Sequence, residues 1–468
     1  MRYTIETLIS CRCYSIKVLH AFLFILLFSN CDDFVEVDLP QNQLTSSDVF
    51  QDAATATAAI RNIYVEMRDG GLMSGYEGGN SSELGLYADE MDQFNIQNPF
   101  FDHSISATNS RISGWWNHTY NLIYTANAII EGVENSATLS LEDHNQLKGE
   151  ALFIRGYLHF LLVELYGPVP YIRTTDYTVN VIAFRDPINK VYDYIIKDLI
   201  EAANLLSEDI SGERIRVYKG VVKALLARVY LYTHQWHLAE TMASNIINSF
   251  VLEPDLNKVF LKNASSTIWQ FRPSVEGENA SYGGSFIFTV NPGIKPTLSE
   301  SMVKTFQPND LRKYSWTRSV NSGSNTWYHA YKYKEAGSTE NLDGEAESKE
   351  YPVVFRLAEQ YLIRAEARAQ RGDISGAQED LNVVRTRAGL PNTIAASTDA
   401  LLGVILQERR VELFTEHGHR WFDLKRLGKA AEILAPVKSN WQDKDILLPI
   451  PESEILLNPN LIPQNDGY

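Results

Sequence analysis

Cysteine is almost missing from this chain of 468 residues: Cys11, Cys13 and Cys31 are the three, and none follows in the remaining sequence. Two of them lie upstream of an expected processing site, so the mature chain can form no internal disulfide. Its stability must come from a buried core, for which 44% hydrophobic composition and this length suffice. Thiol nucleophiles are absent with them. So are G-x-x-x-x-G-K-S/T, G-x-G-x-x-G, H-E-x-x-H and G-x-S-x-G, the signatures of phosphate cradles, dinucleotide sites, zinc hydrolases and serine hydrolases. Basic residues are scarce against acidic ones, 42 to 58, for a formal charge of -16, which makes a poor nucleic-acid binder. Neutral sugars and peptides are untouched by that argument. The apolar run Ala21 to Phe28 (AFLFILLF) is far short of the roughly 20 residues that a membrane-spanning helix needs.

What stands around that run is informative. Arg2, Arg12 and Lys17 face only Glu6 before it, and Ser29, Asn30 and Cys31 follow it, the order of a secretory signal. Phe28-Ser29-Asn30-Cys31 resembles the lipobox of a bacterial lipoprotein, departing from the commonest pattern at Phe28 and Asn30. Cleavage before Cys31 is expected to expose its thiol and new amine to lipid attachment, and several acyl chains anchor where one does not. An ordinary signal with an incidental cysteine is the alternative. The expected organisation is a signal peptide at 1–30, a lipidated tether at 31–46 and a single domain at 47–468.

Within that domain, Ser46 and Ser47 offer caps to a first helix in which Val49, Ala53, Ala56, Ile60 and Ile63 recur at helical spacing. A long loop is predicted from 68 to 110, then helices over 111–133, 142–166 and 188–206, the second stopped by Gly167 and its two following prolines. Ala227 and Ala239, and again Ala365 and Ala377, stand twelve apart, with Gly372 and Leu381 where a tetratricopeptide repeat wants a turn glycine and a large residue. Residues 251–350 hold "GGS", "NPG", "QPND" and "NSGSN" between short β-branched or aromatic runs, and read as loops with a few short strands. The predicted fold is mainly α: a helical scaffold at 47–67, 111–250 and 355–430, and a loop-rich region at 68–110 and 251–350.

Chemistry is thin. His417 and His419 in "EHGHRW" supply two metal ligands at most, and a helix-junction role is the simpler reading. Arg409, Arg410 and Glu412 are assigned to ion pairing between helices. The acidic run Asp89, Glu90, Asp92 is the best local candidate for a hydrolase's paired carboxylates. Aromatics make up 11% of the chain, and several fall in loops or short strands, among them Tyr76, Tyr87, Phe94, Phe100, Trp269, Tyr282, Trp316 and Trp327. Flat rings beside amides and acids suit the alternating CH faces and hydroxyls of a sugar, and equally an extended peptide.

Taken together these features resemble the SusD/RagB family of surface lipoproteins. The stretches that carry the likeness are "CDDFVEVDLPQNQLTSSDVFQDAATATAAIRNIY", "GEALFIRGYLHFLLVELYGPVPYI", "KALLARVYLYTHQWHLAE", "ERRVELFTEHGHRWFDLKRLG" and "LLPIPESEILLNPNLIPQNDGY". The resemblance implies four tetratricopeptide-like helix pairs carrying a loop-rich region, no catalysis and no cofactor. It implies capture of oligosaccharides at the cell surface, on the outer membrane, for a SusC-like TonB-dependent transporter; Asp32 and Asp33 fit the surface-export signal that follows the lipid cysteine in such proteins. Peptide or glycoprotein-fragment binding is the alternative within the family. A secreted glycoside hydrolase and a helical scaffold that binds only protein are the alternatives outside it. Because functional groups collect on loops held by a rigid frame, the ligand site is expected where the 73–95 loop meets the 269–333 segment. Tyr87, Trp316 and Trp327 would stack, while Asp89, Asp92 and Asn95 would bond hydroxyls.

Overall fold

A computed structural model describes residues 49–208, 212–337 and 346–468. The expected signal peptide, Cys31, the tether and the caps Ser46 and Ser47 lie outside the described residues. The body of the chain runs from Phe50 to Tyr468. Among the described residues it holds seventeen α-helices and six short strands.

Helix α1 (Ala53–Asp69) begins where the Asp52 carboxylate accepts from the amides of Ala54 and Thr55, both at 3.0 Å, which satisfies two of the free N–H groups of the first turn. The predicted long loop is interrupted by a helix, α2 (Asn80–Tyr87), all eight residues of which are buried. Two long helices follow, α3 (Ser110–Glu134) and α4 (Leu141–Tyr166). Helix α4 starts on Ser140, whose hydroxyl accepts from the Asp143 amide, and carries Glu142 and Asp143 in its first turn, where the helix dipole favours negative charge. It ends at Gly167, at φ 73°, a left-handed stop that favours glycine.

Helix α5 (Ile188–Leu205) lays Val191, Tyr192, Ile195, Asp198, Leu199 and Ala202 against α4 at helical spacing. Asp198 tolerates burial because Arg155 of α4 grips it through two bonds of 2.6 and 2.8 Å, and the Tyr171 hydroxyl donates to it at 2.6 Å. The hairpins α6 (Lys219–Tyr232) with α7 (Trp236–Ile247), and α8 (Leu357–Gln370) with α9 (Ile374–Arg387), pack on each other through α7 and α8. Ala227, Ala239, Ala365, Ala377 and Leu381 are wholly buried, and Gly372 turns the second hairpin at φ 81°. The small residues allow the close approach that the sequence spacing predicts. Helices α10 (Thr398–Leu413) and α11 (His419–Arg426) close the scaffold.

The loop-rich region is held by three two-stranded antiparallel sheets. Strand β1 (Met91–Asp92) pairs with β3 (Thr297–Leu298), β2 (Thr267–Gln270) with β6 (Val353–Arg356), and β4 (Thr317–Ser322) with β5 (Asn325–Ala330). Beneath them lies a core of Leu86, Met91, Phe260, Tyr282, Met302, Trp316, Tyr333 and Phe414. Scaffold and loops are joined by buried ion pairs. Arg356 bonds Glu416 at 2.7 Å, and Arg312 reaches Glu408 at 2.6 Å and Glu412 at 3.0 Å, while within the scaffold Arg409 of α10 bonds Asp423 of α11 at 2.6 Å. Arg409, Arg410 and Glu412 are thus structural, and so is "EHGHRW": Gly418 takes φ 74° to start α11, while His417 is buried with Nε2 2.9 Å from the Val353 carbonyl oxygen.

Candidate functional site

Three of the expected site residues belong to the core. The stretch "SSELGLYADE" is helix and turn rather than open loop, so Tyr87 ends α2 pointing inward: its ring is fully buried, stacks on His103 at 4.2 Å between centroids, and its hydroxyl donates to the Asp445 carbonyl oxygen at 2.7 Å. Trp316 ends a short helix, Leu311–Trp316, and is also fully buried. Its Nε1–H donates to the Leu256 carbonyl oxygen at 2.8 Å, and Lys332, Arg356 and Arg387 surround the ring. Neither ring has a face left for a ligand. Asp89 is buried between Arg420, at 2.7 and 3.0 Å, and Arg410, at 2.8 Å. Burial opposes its ionisation, but the two guanidinium groups prevail and hold the carboxyl below its ordinary range. Asp89, Tyr87 and Trp316 are therefore structural residues.

Asp92, Asn95 and Trp327 are brought to one edge. Asp92 sits in β1 opposite Thr297, and β3 packs in turn beside β5, which carries Trp327. The Gln93 side chain donates to the Ile294 carbonyl oxygen at 2.7 Å, and the Asn95 side chain to that of Gly293, so the chain after β1 is tied to the 293–298 segment. Between these ties Phe94 stands 50% exposed and meets Trp327 edge to face, with centroids 4.5 Å apart. Ile96 and Ile294, in the two segments so tied, are each about half exposed. Burial raises the Asp92 carboxyl above its ordinary value, and Lys438 pulls it back. Glu90, just behind β1, is fully enclosed and burial pushes it up to about 7.

Ile96 also opens onto a cleft of about 780 Å³, lined further by Tyr76, Glu77, Asn98, Arg111 and His118. Two glycines shape it. At Gly78, φ 99°, an added Cβ would stand 1.6 Å from Arg111 Nη1, and at Gly71, φ 62°, it would stand 2.3 Å from His118 Cδ2. The bare backbone lets both side chains lie against it. Arg111 pairs with Glu83 at 3.3 Å, and Asn98 donates to the same carboxylate at 3.0 Å. Burial raises the Glu83 carboxyl, with Arg111 and Asn98 opposing. Sequence reasoning named neither Arg111 nor His118 for the site; the glycine cluster at 70–79 was the available signal. Among the described residues no group of three metal-ligating side chains gathers, and no helix is long and apolar enough to cross a membrane.

The class that this architecture defines is a helical-repeat scaffold presenting a loop-built face with a solvent-facing aromatic pair and a polar cleft. Residues 33–231 match a family model described as starch-binding and associating with the outer membrane, and residues 280–468 match the SusD family model. The chain belongs to the SusD/RagB family. SusD-like protein P2 of Formosa agariphila is 29% identical to it over 420 residues, 77% of this chain and 81% of that one. Among solved structures, a SusD superfamily protein from Bacteroides vulgatus superposes with a TM-score of 0.77 at 21% identity, covering 89% of this chain and 99% of that one. A laminarin binding SusD-like protein superposes with a TM-score of 0.71 at 22% identity, over 89% and 99%. At these identities the structures establish the fold.

Proposed function

We propose that this protein is a non-enzymatic, lipid-anchored carbohydrate binder that captures oligosaccharides at the outer face of the outer membrane and passes them to a SusC-like TonB-dependent transporter. The observation that carries the reading is the Phe94–Trp327 pair, half exposed at Phe94 and partly exposed at Trp327, near Asp92, Asn95 and the 780 Å³ cleft: apolar ring faces beside hydrogen-bonding groups, as sugar rings require. The family description as starch-binding and the laminarin-binding neighbour support it. The hydrolase reading is weakened by what Asp89 and Glu90 do, since one is taken by two arginines and the other is enclosed. Calorimetry of the mature chain against starch, laminarin and other plant, host and microbial glycans, with peptide digests alongside, tests the proposal. Binding confined to the digests would move the reading to a peptide carrier, and binding of nothing in the panel would end it.

The partner reading draws on a different surface. Ile182, Phe184 and Leu457 are 58%, 67% and 72% exposed. Their segments are joined where the Asn458 and Asn460 side chains donate to the carbonyl oxygens of Ala183 and Ile182, at 2.8 and 2.9 Å. Large apolar side chains exposed on segments tied together in this way are the kind of surface that protein partners cover. Gentle extraction of native membranes is expected to bring a large β-barrel protein down with the tagged chain, and less of it with Ile182→Asp/Phe184→Asp, while metabolic labelling with a palmitate analogue is expected to mark the wild type and to be lost with Cys31→Ala. Recovery of the chain alone, with the barrel present in the same membranes, would contradict the partner. Cys31→Ala protein that still took up the lipid label would contradict the anchor.

A further inference from the structure

A second cavity, of about 570 Å³, shares no residue with the cleft, although one segment serves both: Ile96 to Phe100 line the cleft and His103 to Ser106 line the second cavity. Its aromatic wall is Trp441, partly exposed and braced by His103 and Trp421 at centroid distances of 5.2 and 6.3 Å. The indole Nε1–H is withdrawn from solvent and has no acceptor in the protein. The polar edge of the ring is therefore turned inward, and the surface it offers the cavity is carbon. Around it stand the exposed side chains of Ser104, Ser106, Ser439 and Gln442, and no carboxylate lines the cavity. The one cation there, Lys444, lies over the Tyr468 ring at 4.1 Å. A carbon face inside a rim of hydroxyls and an amide, without acid, suits an uncharged sugar ring and gives a charged ligand little to pair with.

We infer that this Trp441 cavity is a second carbohydrate contact, engaged by a glycan chain long enough to extend past the first. The inference rests on the carbohydrate reading proposed above. Phe100 at one cavity and His103 at the other are three residues apart, so their backbones are separated by at most roughly 11 Å. Two weak contacts on one ligand multiply, because the second forms at the high effective concentration set by the first. Affinity then rises with ligand length in a way that one site does not produce.

Calorimetry of the mature chain with ladders of maltooligosaccharides and laminarioligosaccharides, from disaccharide to polymer, tests this. Trp441→Ala is expected to weaken the polymer about tenfold and leave the disaccharide unchanged. Because Trp441 also packs on its neighbours, Ser439→Arg, which crowds the exposed rim without touching the core, is the second variant and is expected to show the same length-selective loss at an unchanged melting temperature. If the wild type binds the ladder and both variants match it at every length, the second contact does not exist. Equal loss at all lengths would assign Trp441 to the first site and overturn the inference as well. A wild type that binds no member of either ladder and no other glycan of the panel above would remove the carbohydrate reading itself, a result distinct from the other two.

Discussion

Glu412→Gln is expected to lower the unfolding free energy by about 3–5 kcal/mol, the cost of leaving buried charges without their partner. Glu412 has no exposed surface, accepts from Arg312 Nη1 at 3.0 Å, and also binds Arg356 and Arg387. Glutamine keeps the shape and removes the charge, so buried Arg387 would lose its carboxylate, while Arg356 would keep Glu416 and Arg312 would keep Glu408 and Asp310. Burial alone would raise the Glu412 carboxyl, but Arg387, Arg356 and Arg312 outweigh it and hold the carboxyl well below the usual range. A carboxyl depressed on folding contributes stability that is present above its unfolded value of about 4.3 and is lost as pH falls through the lower folded value. The wild type is therefore expected to lose stability on acidification below about pH 4.3, and the variant to lose less over the same window. Urea unfolding curves across that window measure both effects. A variant within about 1 kcal/mol of wild type would mean that the remaining carboxylates suffice for these arginines and that Glu412 does not hold the joint between scaffold and loops.

The helices at 110–134, 141–166 and 188–205 were legible because each has a periodic buried face or a clear stop, and the paired alanines at 227, 239, 365 and 377 because close helix approach demands small residues at fixed spacing. Helix α2 escaped notice for the opposite reason. Buried on every side and bordered by glycines, it shows no alternation of polar and apolar faces. Its concealment explains the misplacement of Tyr87, and the short helix Leu311–Trp316 explains that of Trp316, since six residues are too few to declare a period. An aromatic in a core-facing turn and one in an open loop look alike in sequence. Asp89 could not be assigned locally at all, because the arginines that neutralise it lie more than 300 residues downstream. In sequence "NSGSN" marks only a turn between short strands; the structure makes it a hairpin, with Gly323 at φ 62° where the two-residue connection needs a left-handed residue, and that hairpin sets the position of Trp327.

Loss of the Phe94–Trp327 pair is the other large effect expected. Each ring offers an apolar face to a site whose polar groups, Asp92 and Asn95, are already positioned by strand pairing and by the Asn95 bond to Gly293. Removing a stacking ring from a solvent-facing site costs on the order of 1–3 kcal/mol, tenfold to a hundredfold in affinity. The two rings brace one another, so Phe94→Ala and Trp327→Ala singly should each cost most of what the pair contributes, and the double variant should fall little below the weaker single. Neither ring is part of the buried core, so the melting temperature should hold.

The central claim, that this edge captures glycans, is met most directly by titrating a glycan that the wild type binds into the Phe94→Ala/Trp327→Ala protein. Affinity lower by on the order of a hundredfold, with an unchanged melting temperature, is the result predicted. Binding equal to wild type by a normally folded double variant would contradict it.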